Sequence, residues 1–198
     1  RSNMNLTSFL IYCVLVTVTP GPTNVVILST VHNLGAKKAM EYTYGATIAF
    51  GILLSVSAML NVALMSVLPT ILPVMQVLGG LYIAYLALQI FRIKPSKQAD
   101  AQSGTSSFMS GFLMQFINPK VVLFTMTVIP SFVLPYYKST PMLLLFVLII
   151  TIIGFLAFIT WVLFGSVFKD FLQEHQKAAN IVMALFLLYS AIMVSGVY

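Results

Sequence analysis

The chain alternates long apolar runs with short polar connections. A helix needs about 20 apolar residues to cross a membrane, and six runs come close to that length: residues 6–30, 42–68, 73–92, 108–134, 141–168 and 179–197. The composition agrees, because 60% of the residues are hydrophobic and only 7% are charged, against about 25% charged in soluble domains. The pattern predicts an all-α integral membrane protein with six transmembrane helices.

Two of these runs contain proline where a spanning helix should be continuous. The first run contains Thr19-Pro20-Gly21-Pro22-Thr23-Asn24, and the fourth contains Asn118-Pro119-Lys120. Proline removes a backbone donor and clashes with the preceding turn, and irregular backbone inside a membrane is tolerated only where it is buried or lines a cavity. We therefore expect helices 1 and 4 to be broken at proline. At the first break Thr19 would be the N-cap and Pro20 the first residue of the half-helix that follows, and at the second break a half-helix would start after Asn118.

The two breaks belong to an internal repeat. Pro119 follows Pro20 by 99 residues, and Ser107-Phe108 follows Ser8-Phe9 by the same interval. The halves are residues 6–92 and 108–197, joined by the polar linker 93–107. Three spans per half require opposite orientations, so we expect two inverted three-helix repeats with the binding site at the breaks.

Basic residues predict the orientation. The first, third and fifth connections contain seven of them, whereas the other side has only Lys138 apart from Arg1. The positive-inside rule then places these three connections in the cytoplasm and both termini outside. Basic residues do not form a stripe with interleaved aromatics, so lipid rather than nucleic acid is the expected environment. A homo-oligomer is possible.

Lys120 is the only charge well inside a predicted span. Such charges are costly and usually face an interior cavity; the alternative is a lysine that extends to the membrane surface. No aspartate or glutamate lies at membrane depth to pair with it. A cation beside two helix N-termini favours an anion, for example a carboxylate. Asn24 and Gln115 are candidates to hydrogen-bond a zwitterion, or else to bond neighbouring helices.

The predicted substrate-binding residues lie at the breaks or along a path between them. They are Thr19, Pro20, Gly21, Pro22, Asn24, Gln115, Asn118, Pro119, Lys120, Tyr82 and Tyr85. The two tyrosines are alternatively packing residues. Lys120 and Glu41 are the candidates for coupling to an ion, and His32 and His175 are expected in solvated cytoplasmic loops. The sequence has no catalytic set, metal-ligand motif or cofactor motif, so we predict neither an enzyme nor a bound cofactor.

These motifs, with the six-span length, resemble the bacterial LysE/RhtB family of amino-acid exporters. Residues 113–118, 131–135 and 180–185 are most similar to those of members that export cysteine and O-acetylserine. The family often has asparagine where this chain has Thr23, and many members have an acidic residue where this chain has Phe50. The missing carboxylate argues against a cationic substrate such as lysine.

The resemblance implies a secondary transporter in the bacterial inner membrane. It would export small neutral amino acids such as cysteine or O-acetylserine, driven by the proton gradient. The alternatives are an ion or metal-ion exporter or channel of the same fold, and a membrane enzyme or structural subunit. The ion pathway has only Asn, Thr and backbone carbonyls as ligands near the breaks, and the enzyme lacks a catalytic set.

Overall fold

The computed structural model describes residues 4–92 and 107–194. Its α-helices are α1 (Leu6–Val18), α2 (Pro22–Leu34), α3 (Ala36–Phe91), α4 (Phe108–Ile117), α5 (Pro119–Val128), α6 (Thr140–Val167), α7 (Lys169–Glu174) and α8 (Gln176–Val194). A π-helical turn, Ile129–Val133, follows α5 directly. Within these described ranges, two helices are long and apolar enough to cross a membrane, Ala36–Leu60 in α3 and the helix α6. The number rises to four if each bent pair of helices is one span. The six-span inverted repeat stays a prediction.

Both predicted helix breaks are present. α1 and α2 are bent by 50° relative to each other, and α4 is bent by 68° relative to the helix that starts at Pro119. At the second break Asn118 is extended, and its Oδ1 accepts a hydrogen bond from the backbone N–H of Lys120 at 3.1 Å. Asn118 is therefore the N-cap of α5 and Pro119 its first residue, and the half-helix starts after Asn118 as predicted.

The cap at the first break differs from the prediction. α2 begins at Pro22, and its N-cap is Gly21 rather than Thr19. Thr19 ends α1 instead, because its backbone N–H bonds to the Leu15 carbonyl and its hydroxyl donates to the Val16 carbonyl at 2.9 Å. With glycine as N-cap, the first turn of α2 has no side-chain cap.

The second and third predicted spans form one helical element, α3. The element is kinked at Leu60, which has non-helical angles. Pro69 and Pro73, at the two ends of the connection expected between the predicted spans 42–68 and 73–92, lie inside the helix. The chain nevertheless reverses, because both Gly45 and Gly79 lie against α4, near Phe108 and Ile117 respectively. A straight helix would separate the two glycines by about 50 Å, while α4 is only about 15 Å long.

The first predicted loop is shorter than expected. α2 continues to Leu34 and α3 starts at Ala36, with only Gly35 between them, at φ 90°. His32 therefore lies in the last turn of α2 and is buried, so the prediction of a solvated histidine is wrong for this residue. His175, between α7 and α8, is exposed as expected.

The core joins the two halves of the chain. One apolar cluster combines α2, α3, α4, α6 and α8, and another combines α1, α3, α5, the π-helical turn and α6. Other apolar side chains cover the outside; Leu81, Leu156 and Val182 are each more than half exposed. An apolar outer surface on a helical protein is typical of contact with lipid. Residues 93–106 of the predicted linker 93–107 lie outside the described residues, and the division into repeats stays a prediction.

Candidate functional site

A small cavity lies beside the two helix breaks. Its polar lining residues are Thr17, Gly21, Thr23, Asn24, Asn118 and Lys120. Its apolar lining residues are Val16, Phe50, Val121, Phe124 and Phe158. The lining therefore suits a ligand with polar groups at one end and an apolar part at the other.

Lys120 extends from the second break to the first. Its Nζ donates to the Thr19 carbonyl at 2.8 Å and to the Thr19 hydroxyl at 3.0 Å. Gly21 leaves room for this side chain, since a Cβ there would lie 3.1 Å from both Cδ and Nζ of Lys120. Among the described residues, Lys120 is the only charged side chain that lines the cavity. The lysine side chain is thus held at the cavity by these two bonds.

Side chains from two other helices satisfy the carbonyls left unpaired at the end of α1. The Asn24 amide donates to the Thr17 carbonyl at 3.1 Å and to the Thr19 carbonyl at 2.9 Å. Trp161 on α6 donates from Nε1 to the Val18 carbonyl at 3.1 Å. Helix ends inside a membrane need such partners, because no water is there to replace them. The end of α1 at the first break is therefore held by hydrogen bonds and is not frayed.

A second set of hydrogen bonds connects the two breaks through Thr23. Its hydroxyl oxygen accepts from Gln115 Nε2 at 3.2 Å and from Asn118 Nδ2 at 3.1 Å. All three residues are buried. Gln115 also donates to the Gly111 carbonyl one turn earlier in α4, at 3.3 Å. Thr23 thus bonds α2 to the end of α4 on one side of the cavity.

Stacked aromatic side chains form the apolar wall. The rings of Phe50 and Phe124 are nearly parallel, with centroids 5.9 Å apart, and Phe158 meets Phe50 edge-on at 6.4 Å. Phe50 is 3% exposed, and Gly154 on α6 packs directly against its ring. No acidic side chain lines the cavity within the described part of the chain. The cavity therefore combines one cation with an apolar wall.

Residues 14–195 match the model of the family described as LysE type translocator. The chain belongs to the LysE type translocator family. The match includes both helix breaks and every residue that lines the cavity. Because members of this family are translocators, a transport role is established at the level of the family.

Named relatives in this family cover almost the whole chain. The "Cysteine/O-acetylserine efflux protein" of Escherichia coli O139:H28 is 28% identical over 94% of this chain and 95% of its own length. The proteins of the same name from Escherichia coli K12 and Shigella sonnei have the same identity and coverage. No solved structure matches this chain.

The structure brings most of the predicted residues of this translocator together at the breaks. Pro20 lies in the first break, Pro22 and Pro119 begin the half-helices, and Gln115 is buried behind the cavity, bonded to Thr23. The tyrosines lie elsewhere. Tyr82 packs against the core cluster of α2, α3 and α8, and Tyr85 is exposed and bonded to Gln89. Neither lines the cavity, and their contact with substrate stays a prediction.

Glu41, the second coupling candidate, also lies away from the cavity. Its carboxylate forms a partly exposed ion pair with Lys38, at 2.8 Å, near the start of α3. The residues that the structure describes contain no group of three or more His, Cys, Asp or Glu side chains able to hold a metal ion. Of the two coupling candidates, only Lys120 lies at the cavity.

Sequence reasoning did not assign three residues that matter to this site: Thr23, Phe50 as a wall, and Trp161. Thr23 directly precedes Asn24 in the motif, but the motif does not show that its hydroxyl bonds the second break. Trp161 is the only tryptophan of the chain, and its position within a long apolar run gives no indication that it donates to the Val18 carbonyl. These contacts join distant parts of the chain, so local patterns cannot reveal them.

Proposed function

We propose that this protein exports small neutral amino acids, such as cysteine or O-acetylserine, from the cytoplasm. The observation that carries the proposal is the single cation at the cavity. Lys120 is the only charged lining residue among those described, and the uncapped N-terminus of α2 adds partial positive charge beside it. A carboxylate complements this arrangement, and the named relatives are efflux proteins for cysteine and O-acetylserine.

The apolar wall of the cavity favours a substrate whose side chain is uncharged. A lysine-like substrate would bring a second cation into the cavity, which would need an acidic partner. The resemblance to the family implies that many members have an acidic residue at the position of Phe50. Its ring stacks on Phe124 and meets Phe158 edge-on. A small uncharged side chain against this wall needs no such partner.

The proposal includes location and driving force. We place the protein in the bacterial inner membrane with both termini in the periplasm, because seven basic residues lie in the predicted cytoplasmic connections. Export is driven by the proton gradient. Lys120 is the stronger of the two coupling candidates, because Glu41 is paired with Lys38 outside the cavity.

Transport by purified protein tests the proposal. Proteoliposomes are loaded with labelled cysteine, O-acetylserine, threonine or lysine, and release is measured with and without an imposed pH gradient. We expect release of the neutral amino acids above that from protein-free liposomes, faster with the gradient, and little release of lysine. Lysine as the preferred substrate would refute the argument from Phe50. Release at the same rate with and without the pH gradient would refute proton coupling but would not affect the substrate assignment.

A further inference from the structure

In the Thr23 hydroxyl, only the hydrogen remains free to bond a ligand. Its oxygen accepts from Gln115 and Asn118, and a hydroxyl has two lone pairs and one hydrogen. The orientation of both amides is fixed by their other bonds. The Oδ1 of Asn118 accepts from the backbone N–H of Lys120, and the Nε2 of Gln115 donates to the Gly111 carbonyl. Thr23 can therefore bind a ligand only by donating to it.

Asn24, the next residue of α2, has the opposite free group, an acceptor instead of a donor. Both hydrogens of its amide donate, to the carbonyls of Thr17 and Thr19. Its Oδ1 is buried and has no hydrogen-bond partner in the described structure. An unpaired buried acceptor is destabilising, and Asn24 is 3% exposed and lines the cavity. Asn24 can therefore bind a ligand only by accepting from it.

Lys120 supplies the third group. An ammonium has three hydrogens, and two of them are used on Thr19. The remaining hydrogen and the positive charge are available to an anion. Lys120 and Thr23 are therefore available to a ligand as donors, and Asn24 is available as an acceptor.

We propose, on the basis of the export function above, that the cavity recognises both charged ends of an α-amino acid. The substrate carboxylate accepts from Lys120 Nζ and from the Thr23 hydroxyl, and the substrate ammonium donates to Asn24 Oδ1. The substrate side chain then lies against the apolar wall of Phe50 and Phe124. Thr23 is thereby a specificity-determining residue. Because both lone pairs of its hydroxyl are occupied, a substrate group that donates a hydrogen bond cannot bind at this position.

The test removes one end of the ligand at a time. Cysteamine is cysteine without the carboxylate, and 3-mercaptopropionate is cysteine without the ammonium; both keep the thiol. Each is measured by competition with labelled cysteine on the purified wild-type protein. We expect each to bind at least about 10-fold more weakly than cysteine, because each loses a hydrogen bond to a charged group. If either binds as tightly as cysteine, the corresponding contact is wrong.

A variant assigns the carboxylate contact to Thr23. Thr23→Val keeps the shape and removes the hydroxyl, so we expect about 10-fold weaker binding of cysteine and 3-mercaptopropionate, with cysteamine unchanged. Thr23→Ser should keep the wild-type affinities. The matched control is Thr125→Val, since Thr125 is a buried threonine of α5 outside the cavity lining whose hydroxyl donates to the Val122 carbonyl.

The outcomes separate this proposal from the export function. If Thr23→Val weakens all three ligands equally, or lowers only the melting temperature, Thr23 merely holds Gln115 and Asn118, and its role in recognition is refuted while export stands. If the variant does not fold, the comparison of the three ligands on the wild-type protein still decides whether both ends are recognised. If the wild-type protein neither binds nor releases any neutral amino acid, the export function fails and this proposal fails with it.

Discussion

Replacing Lys120 with methionine separates a substrate-binding role from a structural one. Methionine keeps most of the length and apolar character of the lysine stem but has no charge. In the structure the lysine makes two hydrogen bonds to Thr19, at 2.8 and 3.0 Å. The variant should still insert into the membrane, because removing a charge from a membrane segment favours insertion. Any loss is then a loss of specific contacts.

The magnitude follows from the bonds at stake. A hydrogen bond to a charged group contributes about 1.5–3 kcal/mol, which corresponds to roughly 10- to 150-fold in affinity for one lost bond to the substrate carboxylate. The bonds to Thr19 are lost as well, so the melting temperature should also fall. The Asn24 amide still donates to the Thr19 carbonyl at 2.9 Å and limits that effect. We therefore expect a large change in affinity and a modest change in stability.

The assay measures cysteine binding, export rate and melting temperature on one series of purified variants. The matched control is Lys138→Met, which makes the same substitution at an exposed position after the π-helical turn and should leave all three values near wild type. Lys120→Arg need not restore binding, because the planar guanidinium has a different shape from the compact ammonium. Wild-type affinity in Lys120→Met would refute the carboxylate contact. A lower melting temperature with unchanged affinity would show that Lys120 only holds the first break.

Three further predictions concern the scaffold. Trp161→Phe leaves the Val18 carbonyl without its donor and should destabilise the protein by about 1–3 kcal/mol; an unchanged melting temperature would show that this bond is unimportant. Gly79→Ala places a Cβ 2.2 Å from the Ile117 carbonyl, so overpacking should cost about 1–3 kcal/mol, whereas Gly51→Ala, with its nearest neighbour at 3.4 Å, is the tolerated control. A C-terminal reporter active only in the cytoplasm should stay silent; a signal would reverse the predicted orientation.

The helix breaks could be predicted from the sequence because their cause is local. Proline at residues 20, 22 and 119 prevents a continuous helix wherever the chain goes, and α5 starts after Asn118 as predicted. At the first break the choice between Thr19 and Gly21 as N-cap depends on which turn the Thr19 hydroxyl bonds to. It bonds back to α1, which the sequence alone does not decide.

The contacts inside the cavity could be predicted only in part. The charge of Lys120 in an apolar run was enough to place it at an interior site. Its partner was not predictable, because Thr19 lies 101 residues earlier in the chain. The same holds for Thr23, which bonds to residues 92 and 95 positions away. The proline residues of α3 were misleading, since the helix continues through both and departs from helical angles at Leu60.

The two sets of bonds across the breaks suggest how substrate and conformation are coupled. Lys120 and Asn118 belong to the second half of the chain, and their partners Thr19 and Thr23 belong to the first. The ammonium of Lys120 is bonded to the end of α1, and its third hydrogen is available to a carboxylate. A carboxylate bound there contacts a group that joins the two halves. A transporter must move such halves relative to each other, and a ligand drives that movement only by binding the two conformations unequally. Because Lys120 bonds Thr19 of the other half, a movement of the halves would shift the ammonium and change its affinity for a carboxylate.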